Sequence, residues 1–242
     1  MTTKRIGPNT ETARYAIISD VHSNLHALKA VLTDLDDLEV KTILCAGDLV
    51  GYGAFPNEVV NLLKERSVIC ISGNHDRAVV NLDTSNMRDW AKRAIEWTIK
   101  NASEETKEFL RKLNPRMDLT EIGIFPDGSK AGLFHGSPLD DDEYIEDYAA
   151  IDTMMIIAGA QVVITGHTHR PFIKKLPHGV WINPGAVGQP RDRDWRASYA
   201  IYDETTKEYQ IKRVEYPVEE AAQAIYDAGL PRELGDRLKS GY

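Results

Sequence analysis

Only two cysteines occur in 242 residues, Cys45 and Cys70, so a disulfide scaffold is excluded and stability must come from a packed core. Each lies in an apolar run, TILCAG or VICISG, that reads as a buried strand. Reduced core thiols account for both, with a redox or zinc-thiolate role as the weaker alternative. Basic charge is also scarce: 29 Lys and Arg stand against 37 Asp and Glu, a net charge of -8. That balance argues against a general nucleic-acid coat protein or a binder of anionic membranes, and leaves room for a small phosphorylated substrate. No stretch approaches the ~18 apolar residues of a membrane span, and the N-terminal MTTKRIGPNTET has no apolar leader core, so a soluble, cytoplasmic protein is expected. Repeats and low-complexity tracts are lacking as well. The one exception is the acidic run Asp140, Asp141, Asp142, Glu143, which reads as a solvated loop.

What the chain does have is 42% hydrophobic residues spread along its length, enough for the core of one large domain over residues 1–242. Over the first 80 residues, short apolar runs alternate with helical patterns, which predicts βαβ units and a parallel sheet. Strands are expected near residues 15–19, 41–46 and 67–71. Leu25, Leu28, Leu32 and Leu35 mark one face of a helix after Asn24, and Pro56 suits the first turn of another. Residues 87–113 read as one or two helices, with Ser103 as N-cap ahead of Glu104 and Glu105. From Met117 the pattern turns strand-rich: DLTEIGIF, an Asp127-Gly128 turn, KAGLFH, QVVIT, FIKKL, a His178-Gly179 turn, VWIN, SYAIYD and YQIKRVEY. A helical segment near residues 151–158 interrupts them. So many strands exceed one short parallel sheet, and two sheets packed face to face with helices outside is the economical solution. A C-terminal helical segment over 217–242 carries the stripe Val218, Ala221, Ala222 and Ile225, fit to dock on the body or on another subunit.

The chemistry-bearing residues cluster at strand ends. YAIIS runs into Asp20 and His22, TILCAG into Asp48, VICISG into Asn74 and His75, AGLF into His135, and VVITG into His167 and His169. Ligands of open α/β sheets bind at the carboxyl ends of strands, so these loops have reason to converge. Nitrogen and oxygen donors without thiolate suit a divalent metal, and the set is larger than one ion uses. An i, i+2 pair in extended chain faces one way, which lets Asp20 and His22 hold one ion. The two oxygens of Asp48 allow it to bridge two ions about 3.5–4 Å apart. Glycines 47, 73 and 166 fit the tight turns required. Singly, D-x-H is a chance tripeptide and His135 an ordinary core histidine; GNHD and GHTH, each a glycine turn after a strand, carry more. Together, in this order, they leave the bland reading little room.

The series D-x-H, GD, GNHD, HG and GHTH resembles the calcineurin-like metallophosphoesterase superfamily over about residues 15–202. More narrowly, GDLVGYG and NPGAVGQPRD look like the small single-domain bacterial and archaeal phosphodiesterases, among them enzymes that cleave dinucleoside polyphosphates. The resemblance implies a four-layer α/β/β/α sandwich of two mixed sheets with outer helices. It implies one metal held by Asp20, His22, Asp48 and His169, and a second by Asp48, Asn74, His135 and His167. It makes His75 the catalytic residue that stabilises or protonates the leaving oxygen. Two divalent ions, of Mn, Fe, Zn, Co or Ni, are the implied cofactors, with in-line attack on phosphorus by a hydroxide that bridges them.

One position departs from the pattern. Many family members carry GDxxD, whose second aspartate supports the catalytic histidine, where this chain has Gly51; Asp76 is a candidate replacement. Weaker acid help suits a good leaving group, and so phosphodiester or phosphoanhydride substrates, nucleotides first. Arg191 and Arg193, with Arg196 and Trp195, follow NPGAVGQP and match phosphate oxygens, although Asp192 and Asp194 make a self-paired surface loop a near equal. Tyr52 and Phe55 either stack on a base or pack their loop, and His26 and His178 carry no assigned role. The rival readings are a phosphomonoesterase, acting on protein or small molecules, and a non-catalytic binding scaffold on the same fold.

Overall fold

The branched residues of the first three apolar runs form parallel strands β1 (Arg14–Ile18), β2 (Thr42–Cys45) and β3 (Ile69–Cys70). The computed structural model describes residues 14–85, 87–120, 129–145 and 150–242. Between these strands run α1 (Leu25–Asp37) and α2 (Pro56–Glu65). Asn24 caps α1 by accepting from Ala27 N at 3.1 Å, and Leu28, Leu32 and Leu35 bury the predicted stripe. Three helices follow: α3 (Asn74–Asn81), α4 (Asp89–Asn101) and α5 (Glu104–Arg111). The Ser103 hydroxyl caps α5 as expected, accepting from Thr106 N at 3.1 Å.

The strand-rich half supplies β4 (Arg116–Asp118), β5 (Ala131–Phe134), β6 (Val162–Ile164), β7 (Phe172–Leu176) and β8 (Gly179–Asn183), with α6 (Ile151–Ala158) between β5 and β6. Then come β9 (Ala197–Asp203), β10 (Glu208–Val214), α7 (Val218–Asp227) and α8 (Arg232–Ser240). Most of the DLTEIGIF strand and the Asp127-Gly128 turn lie outside the described residues. The β7–β8 turn is Pro177-His178, one residue earlier than expected, because Leu176 and Gly179 pair across it.

Two five-stranded mixed sheets result, in the orders β10-β9-β1-β2-β3 and β4-β5-β6-β8-β7. Their inner faces share one core, with Ile17, Leu44 and Ile71 from the first sheet against Leu133, Ile164 and Ile182 from the second. The outer face of the first sheet is covered by helices: Ile18, Cys45 and Tyr199 pack with Leu28, Val59 and Ile95. On the second sheet, Val163 and Trp181 pack under Ile151 and Met155 of α6, and Trp181 Nε1 donates to Thr165 Oγ1 at 2.9 Å. This is the four-layer sandwich. Cys45 and Cys70 sit opposite each other on adjacent strands as buried free thiols. Among the described residues, no helix is long and apolar enough to cross a membrane.

The C-terminal segment docks on the body. Ala221 and Ile225 of α7, with Leu234 and Leu238 of α8, join the core that also holds Leu28 and Val31 of α1. Leu234 is fully buried, so Leu234→Ala is expected to lower stability by about 2–5 kcal/mol. Urea unfolding monitored by circular dichroism checks this, and an unchanged midpoint would mean that α8 packs loosely.

Candidate metal centre

The loops after β1, β2 and β6 reach the site through strained backbone. Asp20, His22, Asp48, His167 and His169 have φ of 52°, 47°, 54°, 66° and 58°, the left-handed region that costs a non-glycine residue about 1–3 kcal/mol. Asp20 and His22 therefore meet by a coiled loop and not by the alternation of an extended strand. Cross-loop hydrogen bonds hold it: Asp20 N donates to Gly47 O at 3.0 Å, His22 N to Asp48 O at 2.9 Å and Ser23 N to Leu49 O at 3.0 Å. Gly73 is needed for close approach, since a Cβ there would run into the backbone and carboxylate of Asp48.

Asp20, His22 and His169 form one cluster. His22 Nδ1 meets Val50 O at 3.2 Å and His169 Nδ1 meets Gln189 O at 2.5 Å. A carbonyl only accepts, so each Nδ1 carries the hydrogen and each Nε2 is bare. These bare nitrogens lie 3.1 Å apart, 3.8 and 3.3 Å from Asp20 Oδ1, an oxygen with no hydrogen-bond donor. Burial holds both imidazoles well below the ordinary histidine value, which keeps a proton off them.

Asp48, His135 and His167 form a second cluster, joined by Asn74. His135 Nδ1 donates to Ala46 O at 2.7 Å, which turns Nε2 toward Asn74 Oδ1 at 3.0 Å, His167 Nδ1 at 3.1 Å and Asp48 Oδ2 at 3.4 Å. His167 Nε2 faces the Asp142 carbonyl at 3.1 Å, so its Nδ1 is also bare. Burial pulls His135 down, but the Asp48 carboxylate outweighs it and His135 is pushed up to about 9. The same Asp48 Oδ2 lies 3.5 Å from His22 Nε2, so one oxygen faces both clusters. Acceptors that repel one another in two adjoining groups fit two cations, and imidazoles tied to carbonyls are the usual support of metal ligands.

His75 lies between these clusters and forms a third group of potential ligands with His22 and Asp48. Its backbone N–H donates to Asp48 Oδ1 at 2.9 Å, while its Nδ1 is buried with no hydrogen-bond partner. Burial pushes the imidazole down to about 4. Asp76 does not orient it: that carboxylate accepts from Leu49 N, Val50 N and Gly73 N at 2.9–3.2 Å and braces the Asp48 loop against the start of α3. Gly51, with φ 93°, packs flat against the His75 ring, and a Cβ there would collide with Nδ1. The ring is instead wedged against Tyr52, centroids 4.3 Å apart, and His22, 4.7 Å apart.

Several expectations need correction. Tyr52 is only 6% exposed, packed against His22, His75 and Trp90, so it fills its loop and offers no open face to a base. Arg191 reaches the cleft over the clusters, with Nη2 3.4 Å from the Tyr52 hydroxyl and 3.1 Å from Gln189 Oε1. Arg193 does not line the cleft: its φ of 70° breaks the extended geometry that would align it with Arg191, and its side chain is exposed. Asp194 pairs with Arg196 within the loop, as the self-paired reading has it, whereas Asp192 pairs with Arg213 of β10. The acidic run is more than a solvated loop, because Asp142 pairs with Arg77 and its carbonyl orients His167. The sequence analysis missed Tyr144, whose ring lies 3.8 Å from that of His167, and Arg237 of α8, a residue of the cleft wall. Nothing in their local sequence marks either one.

Donors of this kind, on loops at one end of two mixed sheets, suit a hydrolytic metal centre. The profile of the calcineurin-like phosphoesterase superfamily domain matches residues 14–207, and the chain belongs to that family, whose members are phosphoester hydrolases using divalent metals. It is 37% identical to an uncharacterized protein of Methanocaldococcus jannaschii over 93% of this chain and 97% of that one. A "probable metallophosphoesterase" of Methanothermobacter thermautotrophicus is 30% identical over 84% of this chain and 93% of that one. The crystal structure of a metallophosphoesterase from Sphaerobacter thermophilus superposes with a TM-score of 0.81 at 35% identity, covering 96% of this chain and all of the other.

Gly51→Asp puts back the family's aspartate but forces a side chain into a left-handed position against His75. It is expected to cost about 1–3 kcal/mol of stability and to lower turnover. Melting curves and kcat together check this, and a rise in kcat would show that the loop has room for the carboxylate.

Proposed function

We propose that this protein is a two-metal hydrolase of phosphodiester or phosphoanhydride bonds, acting on nucleotides or dinucleoside polyphosphates. The observation that carries the reading is the single Asp48 oxygen lying 3.5 Å from His22 Nε2 and 3.4 Å from His135 Nε2. One ion is assigned to Asp20, His22, Asp48 and His169, the other to Asp48, Asn74, His135 and His167. When bound, such a pair of dications grips phosphate oxygens and makes water acidic enough to act as a nucleophile near neutral pH.

The chain's own residues do the rest. Val50, Ala46 and Gln189 carbonyls fix three imidazoles by their Nδ1 hydrogens, so their Nε2 atoms need no reorientation. His75 is assigned to the leaving oxygen as a hydrogen-bond donor. Among the described residues no carboxylate supports a proton on its buried Nδ1, so its acid help is small. Phosphoanhydrides and activated diesters leave without much help, which favours them over simple phosphomonoesters. Arg191 faces the same cleft and supplies a fork for phosphate oxygens. Tyr144, 53% exposed beside His167, offers the aromatic face for a base that Tyr52 does not.

Chelation should abolish turnover, and Asp48→Asn should empty both sites because one oxygen serves both. His75→Ala should keep two metals per chain while kcat falls by about 10², the low end for general acid help. Metal analysis by mass spectrometry alongside diester kinetics separates these outcomes. Full activity in exhaustively demetallated protein would overturn the assignment, and loss of metal from His75→Ala would move that residue into the ligand set.

A further inference from the structure

The cleft over the metal centre, ≈ 1150 Å³, contains an arrangement that metal binding does not explain. Five arginines line it: Arg77, Arg88, Arg170, Arg191 and Arg237. Arg77 pairs with Asp142, whereas among the described residues no Asp or Glu side chain pairs with the other four. Of those four, Arg191 and Arg237 are seated on the ring cluster that backs His75.

Both are seated on aromatic rings. Arg191 lies with its guanidinium 5.8 Å from the Tyr52 ring centroid, touches Gln189 Oε1 at 3.1 Å, and has a buried Nε with no partner among the described residues. Arg237 stacks its guanidinium 4.6 Å from the Trp90 ring centroid and donates Nε to the main-chain oxygen of Tyr242, the last residue of the sequence, at 2.5 Å, which leaves its Nη groups toward the cleft. Stacking fixes the plane of each fork and leaves the remaining N–H groups to a ligand. The rings themselves are in contact, with Tyr52 5.4 Å from Trp90 and 4.3 Å from His75. Arg191 thus sits one ring out from His75 and Arg237 two. Burial, and after it the charges of Arg191 and Arg88, hold Arg237 below the ordinary arginine value.

Arg237 also comes from outside the matched family domain, which ends at residue 207. Helix α8 presents it from a rigid base, Leu234 and Leu238 being buried in the core. The Arg193 N–H donates to Gly241 O at 2.7 Å, tying the C-terminal segment to the loop that carries Arg191.

We infer that Arg191 and Arg237 form a second anion subsite, which binds a non-reacting phosphate of a substrate that carries more than one. This deepens, and rests on, the proposed phosphoesterase reading. The C-terminal helices make the cleft selective for polyphosphate chains, because a ligand with one phosphate can satisfy the metals or the arginines but not both.

The test is calorimetric binding of inorganic tripolyphosphate and of orthophosphate to the metal-loaded full-length protein at fixed free Mn(II). The proteins compared are wild type, Arg237→Ala, Arg237→Lys and the exposed control Arg232→Ala. Tripolyphosphate should bind Arg237→Ala about 10- to 100-fold more weakly, with orthophosphate shifting far less. Arg237→Lys should fall between, having the charge without the fork, and Arg232→Ala should match wild type. Equal losses for both anions, or none, would overturn the subsite. Steady-state kinetics on a dinucleoside tetraphosphate and a chromogenic diester give the second readout: in Arg237→Ala the kcat/KM ratio between them should fall by the same factor. If wild type binds tripolyphosphate through Arg237 yet cleaves neither substrate, the subsite stands and the hydrolase reading fails. A variant whose melting temperature drops is replaced by Arg237→Met, which keeps the stem packed on Trp90.

Discussion

Acceptor atoms facing acceptor atoms are the constraint on which this structure turns. Around the Asp48 carboxylate, the bare nitrogens of His22, His167 and His169, the Nε2 of His135 and the oxygens of Asp20 and Asn74 crowd into a buried volume. Left to themselves such groups repel, and a protein that places them together must hold them by force. Left-handed backbone at five of these positions is one expression of that force, and the cross-loop hydrogen bonds from Asp20, His22 and Ser23 are what sustain it. Cations relieve the repulsion, so metal loading and the stability of these loops are one equilibrium seen from two sides.

Two layers of support lie behind that centre. Carbonyls of Ala46, Val50, Gln189 and Asp142 each fix a histidine ring. Behind them, Asp76 gathers three backbone N–H groups that would otherwise be buried without acceptors, stiffening both the Asp48 loop and the start of α3. Burial and the nearby Asp48 charge push Asp76 up to about 7, so its ionised form depends on those three donors. The sandwich explains why so many loops meet here: the strands of both sheets that run parallel deliver their carboxyl ends to one edge.

The sequence made the candidate ligands legible because each sits in a short motif after an apolar strand, and strand-plus-motif is a local signal. Helices α1, α2 and α5 were legible for the same reason, through the Leu stripe, Pro56 and Ser103. Orientation was not. The i, i+2 argument placed Asp20 beside His22 correctly but for the wrong backbone, and it aligned Arg193 with Arg191 where a φ of 70° turns Arg193 away. Tyr144 and Arg237 escaped because each is brought to the cleft by a contact far along the chain, with His167 and with Trp90. Residues 121–128, where a further strand and turn were expected, lie outside the described part of the chain.

Gly51 links the centre to the cleft. A carboxylate at this position would hold a proton on His75 Nδ1, but here the backbone itself occupies that space and the Tyr52 ring closes over the imidazole. Tyr52 is then available to seat Arg191 and to abut Trp90, which seats Arg237. Glycine at this position leaves His75 Nδ1 without a carboxylate and leaves room for the imidazole beside the rings that seat both arginines. In the proposed reading these effects act in one direction. With less proton donation, catalysis depends on leaving groups that carry negative charge well, and phosphate chains are such groups. They are also the ligands that unpaired arginines beyond the metals would hold.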